Sequence, residues 1–524
     1  FSDASAPKDV AVNGTVDLGE SSIGILTAGY NFSNAVDGNK IIGTGELLVS
    51  APATLGADNR LTGGAIVSTT GVVNLRHANS ASKFQVADGA TLNIELSETF
   101  SKPITGAGEG STLNIVAASF EKAYTPAIDN VSVINITKTQ IGRFNNSLAE
   151  WFDAWRGSFG TAAGTPQVNI INGVEGNRLA GFGASNIFAN AKLHLGDSIR
   201  LVRHYNETDK QTIDFGELSG TAASFLESGF VDGRSQSYNV GALDTDATFA
   251  GTIRSYQKND STFSTSSINL NKVGLGTWTL TGNIVHKGTI GVNSGTLEIF
   301  GAVADSVTTI TVAADATLKT GNVTIGSTLV NVNAGGTLEA RSTVFAGDVQ
   351  LSDATLSGAA SAYNFGLVNT TLNLTVTRFD DGGYNKLTAE SDITIIGGIL
   401  NITVNGATEG ATIQLLEALG GNGVIYPETY PQVFVNGVDI TDNTEETDGA
   451  EFVWFADTGE LKSLVNKEET AIRDVNASKA VKSVSHFDLL GRPVPENTQG
   501  IIIRKTIYED NSVKTDKIFN TYRK

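Results

Sequence analysis

Apolar and polar residues alternate along this chain in short bursts rather than in long runs. In "GTLEIF", residues 295–300, Leu297 and Ile299 share one face of an extended segment, while Thr296 and Glu298 take the other. Phe300 cannot share the face of Leu297 if the strand is regular. The surrounding stretch, "VGLGTWTLTGNIVHKGTIGVNSGTLEIFGA" from Val273 to Ala302, is built of Thr, Val, Ile, Leu and Trp, and Gly or Asn interrupts it every few residues. The pattern is that of short strands separated by tight corners, because Gly and Asn tolerate positive φ.

The motif returns. "GTLEI" is followed by "ATLKT", "GTLEA", "ATLSG", "TTLNL" and "GILNI", with central leucines Leu297, Leu318, Leu338, Leu356, Leu372 and Leu400 spaced by 21, 20, 18, 16 and 28. Upstream, "ATLNI" and "STLNI" place Leu92 and Leu113 21 apart. A strand of about five residues buries little alone, but stacked on a like neighbour ~4.8 Å away it pairs its backbone and joins its Leu to a continuous column. One motif per coil of about 20 residues therefore predicts an all-β chain folded as a parallel, right-handed β-solenoid (β-helix). A sandwich or barrel also has many short strands, but it does not require the motif to return at one-coil intervals.

Two regions break the rhythm. In "NNSLAEWFDAWRG", residues 145–157, Ser147 and Glu150 form a capping box and Gly157 a stop signal. The pattern predicts a helical insertion near 146–157, with Leu148, Trp151, Phe152 and Trp155 on one face. "DITDNTEETDGAE", residues 439–451, carries six carboxylates and no basic residue, and reads as a solvated loop near the end of the solenoid. The expected organisation is a solenoid over 1–464, a polar linker over 465–480 and a small C-terminal β-sandwich-like domain over 481–524. That tail holds eight Lys/Arg against five Asp/Glu, whereas the whole chain of 524 residues carries a net charge of −19.

Composition narrows the function classes. Hydrophobic residues make up 40% and charged residues 17%, too apolar and too weakly charged for a disordered chain. No apolar run approaches the ~18 residues of a membrane-spanning helix. The chain has no cysteine, which excludes disulfides, thiolate metal sites and a Cys nucleophile. A strongly anionic chain is a poor match for nucleic acid. The start at Phe1 is what is expected of a chain whose targeting segment has been removed.

Candidate chemistry is sparse. The five histidines, His77, His194, His204, His286 and His486, form no metal-spaced cluster. Neither a phosphate-binding Gly-Lys-Ser/Thr loop nor a Gly-x-Ser-x-Gly elbow is present. For a polysaccharide lyase, Arg200, Arg203 and His204 are the best basic candidates, and Asp244 with Asp246, or Asp380 with Asp381, the best acidic ones. Solvated corners account for the same residues. No cofactor is expected. Ca²⁺ is the one metal that the acidic composition admits, although no single short run supplies its six to eight oxygens. Trp151 and Trp155 form a candidate glycan platform.

Two stretches carry a resemblance. The segment 273–302, with Gly276 to Gly282 and Gly295 to Leu297, resembles the autotransporter-associated β-strand repeat, and "YNVGALDTDATFAGTI" before it resembles the segment that introduces such repeats in secreted pectate-lyase-like β-helix proteins. The match covers about 65 residues and implies a passenger exposed outside a Gram-negative cell. The tail "VSHFDLLGRPVPENTQGIIIRKTIYEDNSVKTDKIF" is similar to the C-terminal sorting domain of type IX secretion cargo. Leu490, Gly491, Arg492 and Val494 match its turn, Gly500, Ile501 and Ile503 its central strand, and Lys514 and Lys517 lie in the final strand. Ile502 stands where Tyr is usual. The resemblance implies export across the outer membrane by the type IX machinery, as the partner of the tail. The expected function is a surface stalk, adhesive or glycan-binding part of a larger cargo, without catalysis. A polysaccharide lyase or glycoside hydrolase working on one solenoid face is the alternative.

Overall fold

The computed structural model describes most of residues 83–465, apart from 97–101, 118–127, 139–153, 156–157, 161–163, 174–177, 183–185, 204–210 and a few single positions. Outside that range it describes short strands between Thr15 and Leu75, the three strands between Val481 and Asn520, and residues 492, 494 and 495. Every described element is a strand or a turn. One sheet of 35 strands, almost wholly parallel, dominates the molecule, and its architecture is solenoid-like.

The coil that opens the repeat shows the plan. Ser267–Lys272, Thr277–Leu280 and Ile284–Val285 form three sides of one turn. Each pairs in parallel with its counterpart in the next turn, Lys287–Val292, Gly295–Ile299 and the single residue Val303. The sides are short because each needs only two or three inward side chains to reach the axis. Burial alternates accordingly: Thr277–Leu280 reads half-buried, buried, half-buried, buried.

The repeated leucines are one column. Trp278 stands opposite Leu297, Leu297 opposite Leu318, Leu318 opposite Leu338, and so on through Leu356, Leu372, Leu400 and Val433. The six leucines are at most 3% exposed. The upstream column runs through Val73, Leu92, Leu113, Ile134, Val168, Leu193 and Leu218. Gly220 opposite Phe249 carries it across, and the buried Trp278 Nε1 donates to Leu218 O at 3.0 Å. Where the coil is wider, aromatic rings fill it. Phe159, Phe188 and Phe215 stack with centroids 5.4 and 5.9 Å apart.

Corners are held by left-handed residues in register. Asp315, Gly335, Asp353, Asn369 and Gly397 all have φ between 47° and 78°. Their amides climb the stack: Asp315 N–H donates to Gly335 O, and Gly335 N–H to Asp353 O. Side chains add ladders outside. Asn114 donates to Asn93, Asn135 to Asn114 and Asn169 to Asn135 at 2.8–2.9 Å.

The last coil is covered. Thr412–Gln414, Glu460–Ser463 and Phe452–Phe455 form a three-stranded antiparallel sheet that buries Ile413, Phe452, Trp454 and Leu461. The expected solvated loop lies in this region. Asp439, Asp442, Glu445, Glu446 and Glu451 are exposed, and Lys462 pairs with Glu446.

One expectation fails. Ala154–Trp155, placed in a helix by the capping pattern, is a strand paired in parallel with Gly181–Phe182. The stack offers Trp155 a ladder of backbone bonds in a six-stranded parallel sheet, and this outweighs a local capping preference of about 1 kcal/mol. The other residues of that insertion, Trp151 included, lie outside the described residues. In the tail, Val481–Phe487, Gly500–Tyr508 and Val513–Asn520 form a single antiparallel sheet with the central strand between the other two. No second layer is present among the described residues.

Candidate functional site

The outward faces of the coils are where a ligand can be met. Two outward columns run beside the leucine column. In one, Glu298 stands opposite Lys319 and Lys319 opposite Glu339. In the other, Gly321 stands opposite Arg341 and Arg341 opposite Ala359. Phe300, following Ile299 just past the strand end, is 46% exposed. Apart from Gly321, these residues line, with Asn373 and Asn385, an open groove of about 640 Å³.

Three local features open it. Phe300 lies over Gly321, where a β-carbon would fall 3.0 Å from Phe300 Cε1. The pairing slips between Arg341 and Thr343, leaving Ser342 at φ 50° in a bulge. Below the bulge Gly358 has φ +97°, and a β-carbon there would lie 1.8 Å from Ala340 O, so only glycine fits. The wall comes from an excursion after Val376 that bridges back from Val376 to Tyr384. Asn385 closes it, its Oδ1 accepting from Thr375 N at 2.9 Å.

Polar side chains in the groove are only partly engaged. Thr279 Oγ1 donates to Glu298 at 2.8 Å, and Lys319 meets Glu339 at 3.3 Å. Asn401 donates to Asn373 at 3.1 Å. The Arg341 guanidinium and the Asn385 amide nitrogen take no partner among the described residues, and Arg341 is exposed. A second hollow of about 610 Å³ lies beside the terminal sheet, lined by Tyr430, Pro431 and Phe455 with Asp442, Asp457 and Glu460. Tyr430 stacks on Tyr426 at 4.7 Å, and burial raises the Tyr426 hydroxyl above its ordinary range.

The residues proposed for catalysis do other things. Arg200 is 1% exposed and grips the buried Glu227 at 2.7 Å, which also accepts from Arg254 Nε at 2.8 Å. Arg203 is buried against Phe182. Asp244 and Asp246 accept the backbone amides of Leu275 and Thr277 at 2.6 and 2.7 Å, which closes a corner. Asp380 bonds Arg378. His204 and Asp381 lie outside the described residues. His194 bonds Ser219 at 3.0 Å in an outward ladder, and His286 is fully buried. Among the described residues no group of three His, Asp or Glu side chains is placed to hold a metal ion.

In the tail, Leu490 and Gly491 lie outside the described residues. Arg492 is exposed, and Val494 N–H donates to His486 O at 2.9 Å, tying the end of the turn to the first strand. Gly500 opens the central strand opposite Asn520. Ile501 stands opposite Phe519, Ile503 opposite Lys517, and Lys514 opposite Thr506. The central and final strands thus belong to one sheet with the first strand, to which Val494 is tied. Trp155 has its strand place; its side chain and Trp151, the two halves of the candidate glycan platform, lie outside the described residues.

Sequence reasoning missed the groove. Its one sequence signal is the 28-residue step between Leu372 and Leu400, which contains the excursion. No family model matches the chain, and no curated protein matches it.

Proposed function

We propose that the chain is an exported, cell-surface β-helix of right-handed coil that serves as a stalk or adhesive part of a larger type IX secretion cargo. The observation that carries this reading is the leucine column, in register from Val73 to Leu218 and again from Trp278 to Val433, with the pair Gly220–Phe249 joining the two runs. Such a register gives length and rigidity, and along it Arg200 is spent on a buried pair and Asp244 and Asp246 on a corner. On this reading the chain resembles autotransporter-type passengers, and its C-terminal sheet resembles the type IX sorting domain. The outer-membrane machinery is then the partner of that sheet. Its outer strands, Val481–Phe487 and Val513–Asn520, leave edges suited to recognition by strand addition.

The test is made in a type IX-competent host. The chain lacking 481–524 should fold and accumulate in the periplasm, and a carrier protein bearing 481–524 should reach the surface. Surface display of the truncated chain ends the export reading. A hydrolase remains the second reading because Glu298 and Glu339 share one groove two rungs apart, a backbone separation of ~9.6 Å at ~4.8 Å per rung that their side chains can close into the ~6.5–9.5 Å between the carboxyl groups of inverting glycosidases.

A further inference from the structure

We propose that the groove between Phe300 and Asn385 is a saccharide-binding site, in which an extended oligosaccharide lies along the rungs with the apolar face of one sugar ring on Phe300. The inference does not depend on the export reading.

The location argues against two other classes of ligand. The groove is on a sheet face, where backbone N–H and C=O groups are already paired with the coils above and below. A peptide cannot add as a strand there, since strand addition needs an open edge. Nucleic acid needs an excess of Lys and Arg over many phosphates, whereas this groove sets Lys319 and Arg341 against Glu298 and Glu339.

What remains is a surface that reads hydroxyls and one apolar face. Carboxylates at Glu298 and Glu339 accept, Lys319 and Arg341 donate, and Asn373 and Asn385 can do both. A sugar presents vicinal hydroxyls that match such mixed groups and C–H faces that match an aromatic ring. Phe300 is a large apolar side chain, 46% exposed, where this outward face is otherwise polar or small. Leaving it half in water has a cost that a ligand would relieve.

The groove is also built at a price in backbone strain. Ser342 is held at φ 50° in a bulge, and Gly358 fits only because it lacks a side chain. Bulges and left-handed residues within strands gather at binding sites, where they re-aim side chains. Here the bulge sits between Arg341 and Thr343 and thus beside the unpaired guanidinium. The excursion after Val376 adds a wall on the same side.

The experiment uses the purified full chain and soluble cello-, xylo- and galacturonate hexasaccharides, with binding followed by calorimetry. At least one hexasaccharide should bind, and Phe300→Ala should weaken it by about tenfold or more, as loss of a central aromatic anchor does. Arg341→Ala should weaken a galacturonate more than a neutral glycan, because only the uronate offers a carboxylate to pair with. Both side chains are exposed, so circular dichroism and thermal unfolding should match the unchanged chain. Binding by none of the three sugars overturns the proposal. So does equal binding by Phe300→Ala, or a loss on Tyr430→Ala that Phe300→Ala does not share, which moves the ligand to the hollow beside the terminal sheet. Failure of export with intact binding bears only on the tail.

Discussion

At the scale of single residues, the interior tolerates very little polarity, and His286 shows the consequence. Its ring is fully buried, Nδ1 meets Lys287 O at 3.0 Å, and Nε2 has no partner. Burial lowers its pKa from the ordinary 6.5 to about 4, against a smaller opposing pull from the Lys287 carbonyl. The unfolded chain therefore takes up this proton first. Stability falls as pH drops from about 6.5 to about 4, by about 3 kcal/mol at full extent, and this group adds nothing further below that. His286→Asn keeps a donor for Lys287 O and should flatten this part of the profile, as read by urea unfolding at stepped pH. An equal slope in both proteins would assign the acid sensitivity to carboxylates. Gly358 is the backbone counterpart. Gly358→Ala must place a β-carbon against Ala340 O at φ +97°, and should cost more than the ~1–3 kcal/mol of the backbone strain alone, because the backbone carbonyl must also move.

At the scale of the element, the strands that carry a period of two were legible and the others were not. Leu297, Leu318 and Leu338 gave away their side of the coil because each sits in a five- or six-residue alternation at a fixed distance from the next. Leu318→Ala should destabilise by about 2–5 kcal/mol, since neighbours above and below hold the cavity open. Thr317→Ala, on the alternate face, should stay within about 0.5 kcal/mol. Comparable losses from both would mean that burial is not what the alternation encodes. The third side of the coil escaped notice because it shrinks to Ile284–Val285, Val303 alone and Thr324–Ile325. Two residues have no period to detect. The stretch around Trp155 was misread for the opposite reason: a convincing local helical pattern lost to pairing with Gly181–Phe182, which no local pattern reveals. The groove was hidden because it depends on the slip at Ser342 and on a wall folded in from Asn385, two features that meet only in space.

At the scale of the whole molecule, Tyr30 stands opposite Ala53 and Ala53 opposite Val73, so the stack from Tyr30 to Val433 rises about 18 levels at ~4.8 Å, roughly 80 Å. Each level touches only the next, so stability is close to a sum over neighbours and the ends are the weak points. An open end presents unpaired strand edges and apolar columns, which invite pairing with another copy. At the C-terminal end the antiparallel sheet of Thr412–Gln414, Glu460–Ser463 and Phe452–Phe455 already covers the last coil, burying Trp454 and Leu461, and Phe452 stacks on Phe379 at 6.4 Å. That assigns capping to residues before 466 and leaves the tail free for another task. The two roles separate by truncation. A chain ending at residue 465 keeps the whole cap and should unfold at the same temperature and elute as the same species as the full chain. A chain ending at residue 440 loses Phe452, Trp454 and Leu461 from the core. It should unfold at lower temperature and self-associate through the exposed coil, visible as larger species by size-exclusion chromatography and light scattering. If the shorter cut at 465 is the one that destabilises or associates, the tail is the cap, and the case for its acting as an export address weakens with it.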